Sequence, residues 1–175
     1  MEEMVPEESS MAGQEGTAAH FLASECLSKN KNPETCHHFG IKIIELANGF
    51  AEARWSSDPL PEGAIELSQW KVDTEMVKAI TEYVDFVTTK VKGGRLFVEQ
   101  RVDFGDGIGY PGAFGTSDVI ILSEDGEELT VIDLKYGYQE VSAEENPQML
   151  LYALGAIAGL KAGALPRPPS EEDWA

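Results

Sequence analysis

The chain has 175 residues, with 13 Lys and Arg against 31 Asp and Glu, a formal net charge of −18 at pH 7. That length suits one domain with a real core, and the charge argues against a protein that coats nucleic acid passively, whose footprint would be basic. Cys26 and Cys36 are the only cysteines, too few for a disulfide scaffold or a four-cysteine metal cluster. With no signal-peptide pattern or membrane-length apolar run, the expectation is a soluble, cytoplasmic protein that makes no membrane contact.

Residues 1–13 are acidic and aperiodic and read as a flexible arm. From Gly16 an apolar stripe of Ala19, Leu22, Ala23, Cys26 and Leu27 predicts a helix, stopped by Lys29-Asn30-Lys31-Asn32-Pro33. Ile41, Ile44, Leu46 and Ala47 fit a helix or a strand equally, and Arg54 to Pro61 reads as a loop. Val72, Met76, Ile80, Tyr83, Val84 and Val87 predict an amphipathic helix over 72–89. The texture then turns to strands: Leu96 to Phe104, alternating only in its second half, then Val119 to Leu122 after a Gly-rich loop (Gly105 to Gly115). Leu129 to Leu134 follows the turn Glu124-Asp125-Gly126. These form an antiparallel meander. Asn146 as cap and Pro147 at the first helical position open a last helix to Leu160, and residues 161–175 read as a Pro-rich acidic tail.

The chemistry concentrates in Gly115-Thr116-Ser117-Asp118 and Val131-Ile132-Asp133-Leu134-Lys135. The first motif puts Asp118 at the start of a strand. In the second, the period of two sends Asp133 and Lys135 to one face and Leu134 to the other. Taken singly, Asp118 is a turn acid and Asp133 a solvated ladder partner of a lysine. Taken together, two acids beside an amine can grip a divalent cation and steady a water, which is equipment for phosphodiester hydrolysis. Gln148 and Tyr152, one helical turn apart, share a face that either joins this cleft or packs in the core. His20 and Glu25 stand roughly 140° apart on a helix of 3.6 residues per turn, so His20 is favoured as a ligand over Glu25. Glu99 either joins the site or sits on an exposed strand face. No GxxxxGK[ST], CxxC or HExxH pattern is present, and Cys36-His37-His38 reads as a surface turn.

In this order and spacing, GTSD, DLK and Gln148-x-x-x-Tyr152 resemble the PD-(D/E)xK nuclease superfamily. The branch is that of RecB-type and lambda-exonuclease-like enzymes, in which Glu15 to His20 is similar to the helix that supplies a histidine ligand. Phrases such as VEQRVDF, FGTSDVIIL, VIDLKYG and ENPQMLLYALGA resemble an uncharacterised phage and prophage family on that core. The resemblance covers roughly residues 14–160 and implies an α/β fold with a restriction-endonuclease-like core, a small central mixed sheet flanked by helices. It implies metal binding by His20, Asp118, Asp133 and the Leu134 backbone carbonyl, and activation or orientation of water by Lys135. Gln148 and Tyr152 would position the substrate. An oxygen-rich set suits Mg²⁺ or Mn²⁺, and an imidazole tilts it toward Mn²⁺.

The implied core continues past the last helix with one more strand, whereas Lys161 to Ala175 holds Pro166, Pro168 and Pro169 and no strand pattern. The expectation is therefore a core lacking its last strand: a short form, a fragment, or an oligomer whose partner completes the edge. The implied function is a phage-type, metal-dependent DNA nuclease, an exonuclease in recombination or DNA processing, acting in the host cytoplasm with DNA and a recombination or host protein as partners. The alternatives are an inactive nuclease scaffold that binds a host or phage protein, and an acidic mimic of DNA.

Overall fold

The computed structural model describes residues 11–137 and 146–163. They are mixed α/β, in two compact units. The first holds the described residues of Met1–Val84 and Lys135–Gln139, the second those of Asp85–Leu134 and Glu140–Ala175. The arm expected over 1–13 is helical from Met11, and its first ten residues lie outside the described residues, as do residues 164–175.

In the first unit α1 (Met11–Lys29) buries Ala18, Ala19, Leu22, Ala23 and Cys26, the predicted stripe, and packs on a three-stranded sheet. That sheet runs β1 (Gly40–Glu45), β2 (Ala51–Trp55) and β3 (Ile65–Lys71), in the order β2-β1-β3 and antiparallel throughout. The open choice at Ile41 falls to a strand: Ile41, Lys42, Ile43 and Ile44 are all buried, as a central strand covered on both faces should be. The predicted loop 54–61 begins only after Trp55, which pairs with Ile41. Strand β3 was not foreseen: Ile65 and Leu67 alternate with Glu66 and Ser68 only briefly, and both apolar side chains are exposed on this edge strand. Its pairing with β1, bulged between Ile43 and Ile44, creates it.

Helix α2 (Thr74–Val91) opens where Asp73 Oδ1 accepts the Met76 N–H at 2.9 Å, and it buries Met76, Ile80 and Val87. Burial pushes the thiol of Cys26 up to about 12, with Cys36 adding to the shift, and both cysteines are free and buried. No helix among the described residues is long and apolar enough to cross a membrane.

The second unit contains the predicted meander, as the antiparallel sheet β4 (Arg95–Asp103), β5 (Phe114–Leu122) and β6 (Leu129–Ile132). The strands thus form two antiparallel three-stranded sheets rather than one mixed sheet. The short connections Leu46 to Phe50 and Ser123 to Glu128 permit only antiparallel returns. At the second of these, Gly126 takes φ 78°, which a side chain would strain. The Gly-rich loop is shorter than expected. A four-residue helix, α3 (Gly105–Ile108), interrupts it, and the pairing of Asp103 with Phe114 draws residues 114–118 into the ladder. Asp118 is therefore mid-strand, not at a strand start. At the other end β6 stops at Ile132, so Asp133 and Lys135 lie beyond the strand that was expected to reach Leu134.

Helix α4 (Pro147–Lys161) begins as predicted, Asn146 Oδ1 accepting the N–H groups of Gln148 at 3.0 Å and Met149 at 3.4 Å. It lies on β4, β5 and β6 over a cluster of Val102, Phe104, Ile120 and Ala156, with Phe97, Leu129, Leu151 and Tyr152 at its margin. Truncating Ile120→Ala in this cluster should lower the unfolding free energy by about 2–5 kcal/mol in a urea titration. A loss under about 1 kcal/mol would place the core elsewhere.

Candidate functional site

Strand alternation slips at one place in the second unit. Phe97 and Val102 pack against the same cluster although they stand an odd offset apart, with an even number of residues between them, which strict alternation forbids. Between them Glu99 adopts φ 49°, a left-handed conformation that costs a residue with a Cβ about 1–3 kcal/mol. Strand β5 shows the same spacing: Ile120 lies in the cluster, while Gly115 faces the Tyr152 ring at the cluster margin. The register holds across the slip, with Val98 opposite Val119 and Gln100 opposite Ser117, so Glu99 and Asp118 stand facing each other between those pairs.

The result is two half-buried carboxylates with oxygens within 4.8 Å of one another. Like charges at that range repel by about 3 kcal/mol at an effective dielectric near 20, so the approach calls for donors or a cation. One donor is in place. The Leu134 backbone N–H gives a 2.7 Å hydrogen bond to Asp118 Oδ2, which restrains the carboxyl group. The sequence reading expected the Leu134 carbonyl to serve the site; it is the amide of the same residue that touches Asp118. Ser117 and Val119, both fully buried, clamp Asp118 on either side.

The other expected residues fall as follows. Asp133 is half-buried immediately after β6 and is not grouped with Glu99 and Asp118; the carboxylate facing Asp118 is that of Glu99. Lys135 is exposed, one residue beyond the buried Leu134, so the predicted alternation across this dipeptide is kept. His20 is half-buried on α1, directly after Ala18 and Ala19. Glu25, set aside on angular grounds, is engaged within the first unit. Its Oε2 accepts from Lys29 Nζ at 2.6 Å and from Trp55 Nε1 at 3.0 Å. Partial burial pushes its carboxyl up, but these two donors outweigh it and hold the pKa below the ordinary value.

Gln148 and Tyr152 do share a face, and Gln148 Nε2 donates to the Tyr152 hydroxyl at 2.9 Å. The Tyr152 ring is committed to packing: a Cβ on Gly115 would meet its Cε1 at 2.5 Å. Of the two readings of this pair, the packing shows the core one: the ring braces the GTSD strand, with the Gln148 amide on its hydroxyl. The glycine of that motif serves close approach by an aromatic ring, a role the sequence did not suggest. For Glu99 a signal existed. VEQRVDF alternates only in its second half, and the irregularity begins at the residue that carries the left-handed turn.

A family model described as a protein of unknown function, DUF2800, matches residues 1–162. The chain belongs to that family. The DUF2800 match takes in every helix and strand described here. No solved structure matches the chain. The DUF2800 description carries no activity, so the chemistry rests on the residues themselves.

The close approach of Tyr152 to Gly115 can be measured. Gly115→Ala should cost about 1–3 kcal/mol of stability, and in a Tyr152→Ala background the same substitution should cost almost nothing. Equal costs in both backgrounds, in a double-mutant cycle read by denaturation, would show that the ring does not brace the strand.

Proposed function

We propose that this DUF2800 protein is a divalent-metal-dependent nuclease that hydrolyses phosphodiester bonds in DNA, with Glu99 and Asp118 as ligands of the cation and His20 the further ligand that the resemblance implies. The observation that carries the reading is Glu99: a strained, left-handed residue in mid-strand whose carboxylate meets that of Asp118. Strain of this kind persists where a function maintains it. The resemblance of GTSD, DLK and the His20 segment to PD-(D/E)xK nucleases supports the same chemistry, and with it the phage-type exonuclease role. Asp133 and the Leu134 carbonyl are the further oxygen donors of this reading.

The donor set fits the ion. Carboxylates with one imidazole suit Mn²⁺ and Mg²⁺. When bound, such a cation lowers the pKa of water and offsets charge developing on the phosphate. The rest falls to the chain. Leu134 N–H restrains the Asp118 carboxyl group. The Lys135 ammonium orients the attacking water and stabilises the phosphate oxygens as negative charge builds. The Gln148 amide, steadied by Tyr152, positions the nucleic-acid backbone at the edge of the site.

The test is end-labelled linear DNA beside closed-circular DNA, with Mn²⁺, Mg²⁺ or chelator. Cleavage should require metal, and Asp118→Asn and Lys135→Ala should each reduce it by at least about 100-fold. Restriction to linear DNA would assign the exonuclease mode. Equal cleavage by wild type and both variants would contradict the reading. No cleavage by the folded wild type would turn it toward an inactive scaffold that binds a host or phage protein.

Glu99→Gly separates function from stability. Glycine accepts φ 49° freely, so the variant should be as stable as wild type or up to about 1 kcal/mol more stable. It should nevertheless lose metal-dependent cleavage. A clear fall in melting temperature would instead mark Glu99 as structural.

A further inference from the structure

The first unit contains a cleft that the nuclease reading does not use. It has a volume of about 460 Å³ and is lined by Lys31, Phe39, Gly40, Trp55 and Ser57, within the range of small-ligand sites. Its walls are aromatic and fixed. Trp55, the last residue of β2, is held from behind by the edge of Phe21, with centroids 5.1 Å apart, and by the bond from its Nε1 to Glu25. Phe39 stands nearly perpendicular to it, at 5.8 Å and 83°, and is 53% exposed, a large apolar surface left to water just before β1.

The floor and the far wall are built as firmly. At Gly40 a Cβ would come within 2.6 Å of Ser56 Oγ, so the backbone there stays bare. Ser57 lies between two carbonyls tied to one buried cation. The Lys42 side chain, on a residue only 4% exposed, donates from Nζ to the Ser56 oxygen at 3.4 Å and to the Asp58 oxygen. A buried ammonium is costly unless it is hydrogen-bonded, and these carbonyls supply bonds that tie the loop to β1. The cleft also has a cationic side, the exposed Lys31, while the Glu25 carboxylate beneath the indole is engaged by Lys29.

Two aromatic surfaces beside one ammonium match a planar ring bearing one anionic group. A lipid chain would have no use for the cation, and an acidic peptide none for the aromatic faces. A duplex hides its base faces in the stack. An unpaired nucleotide answers all of these points, because every base has a π-face for stacking and brings one phosphate. We propose that the cleft of Lys31, Phe39, Gly40, Trp55 and Ser57 binds one unpaired nucleotide of a single strand, its base against Phe39 and Trp55 and its phosphate at Lys31. This rests on the nuclease reading and deepens it: the enzyme holds its substrate as a single strand.

The experiment uses the full chain and a fluorescein-labelled dT12 oligonucleotide, read by anisotropy in chelator so that no cleavage occurs. Phe39→Ala should weaken binding by about 5- to 150-fold, the range of one lost base stack. Lys31→Ala should weaken it too and make the dependence of log K on log salt shallower by about 0.7, the share of one single-strand phosphate contact. Both side chains are solvent-facing, and unchanged thermal melts would confirm that the variants fold. Unlabelled dT12 should compete far better than dTMP.

No binding of dT12, or wild-type affinity in both variants, would overturn the proposal. Equal competition by dTMP would overturn its assignment to a strand and leave a free-nucleotide site. Because binding is measured without metal, the two ideas fail separately. Binding without any cleavage sinks the nuclease reading alone, and cleavage with unaltered binding by the cleft variants sinks the cleft alone.

Discussion

The second unit is organised around a repulsion. Its central hairpin brings the carboxylates of Glu99 and Asp118 within 4.8 Å, at facing positions of a ladder where like charges are destabilising. The neighbouring structure enforces that approach. Fully buried Ser117 and Val119 fix the course of β5 on either side of Asp118, and the backbone after β6 turns in to give Asp118 the Leu134 N–H. Glu99 reaches its place only through a left-handed backbone in mid-strand. Each of these is unfavourable or demanding alone. On the proposed reading, a shared cation would make them one arrangement.

The core supports that hairpin from the opposite side. Because alternation slips at Glu99, residues on both sides of it, Phe97 and Val102, reach the cluster beneath α4. The helix in turn sets Tyr152 so close to Gly115 that no side chain fits between them. Packing of α4 and placement of the carboxylates are therefore coupled through β5, and a change under the helix moves the start of the strand that carries Asp118. The Gln148–Tyr152 bond extends this coupling to a polar group at the end of the ring. In the first unit a comparable logic holds the aromatic cleft, where a buried lysine and a bare glycine fix the loop and the floor between two rings.

Where apolar period governs, the elements were legible in the sequence. The stripe of α1, the amphipathic α2 and the capped start of α4 lie where Leu22, Ile80 and Asn146 place them, although α1 begins at Met11, ahead of the expected Gly16. The meander was legible from its turn at Gly126. Edge strand β3 and the early start of β5 were not, because both owe their conformation to a partner strand rather than to their own residues. The motif acids were read as chemistry, but grouping Asp118 with Asp133 followed from motif order, whereas the carboxylate within 4.8 Å of Asp118 is that of Glu99, between the pairs Val98–Val119 and Gln100–Ser117. Register decides which residues face one another, and a short sequence motif does not encode register. The cleft was illegible for a similar reason, since Lys31, Phe39 and Trp55 come from three separate connections and strands.

The central claim is that the two carboxylates meet because they share an ion. A crystal of the protein grown or soaked with Mn²⁺, with anomalous diffraction recorded, tests it most directly. The account predicts a strong anomalous peak bonded to one carboxylate oxygen each of Glu99 and Asp118, at metal–oxygen distances of about 2.1 Å. Manganese bound elsewhere, with Glu99 still left-handed and its carboxylate still beside Asp118, would contradict it.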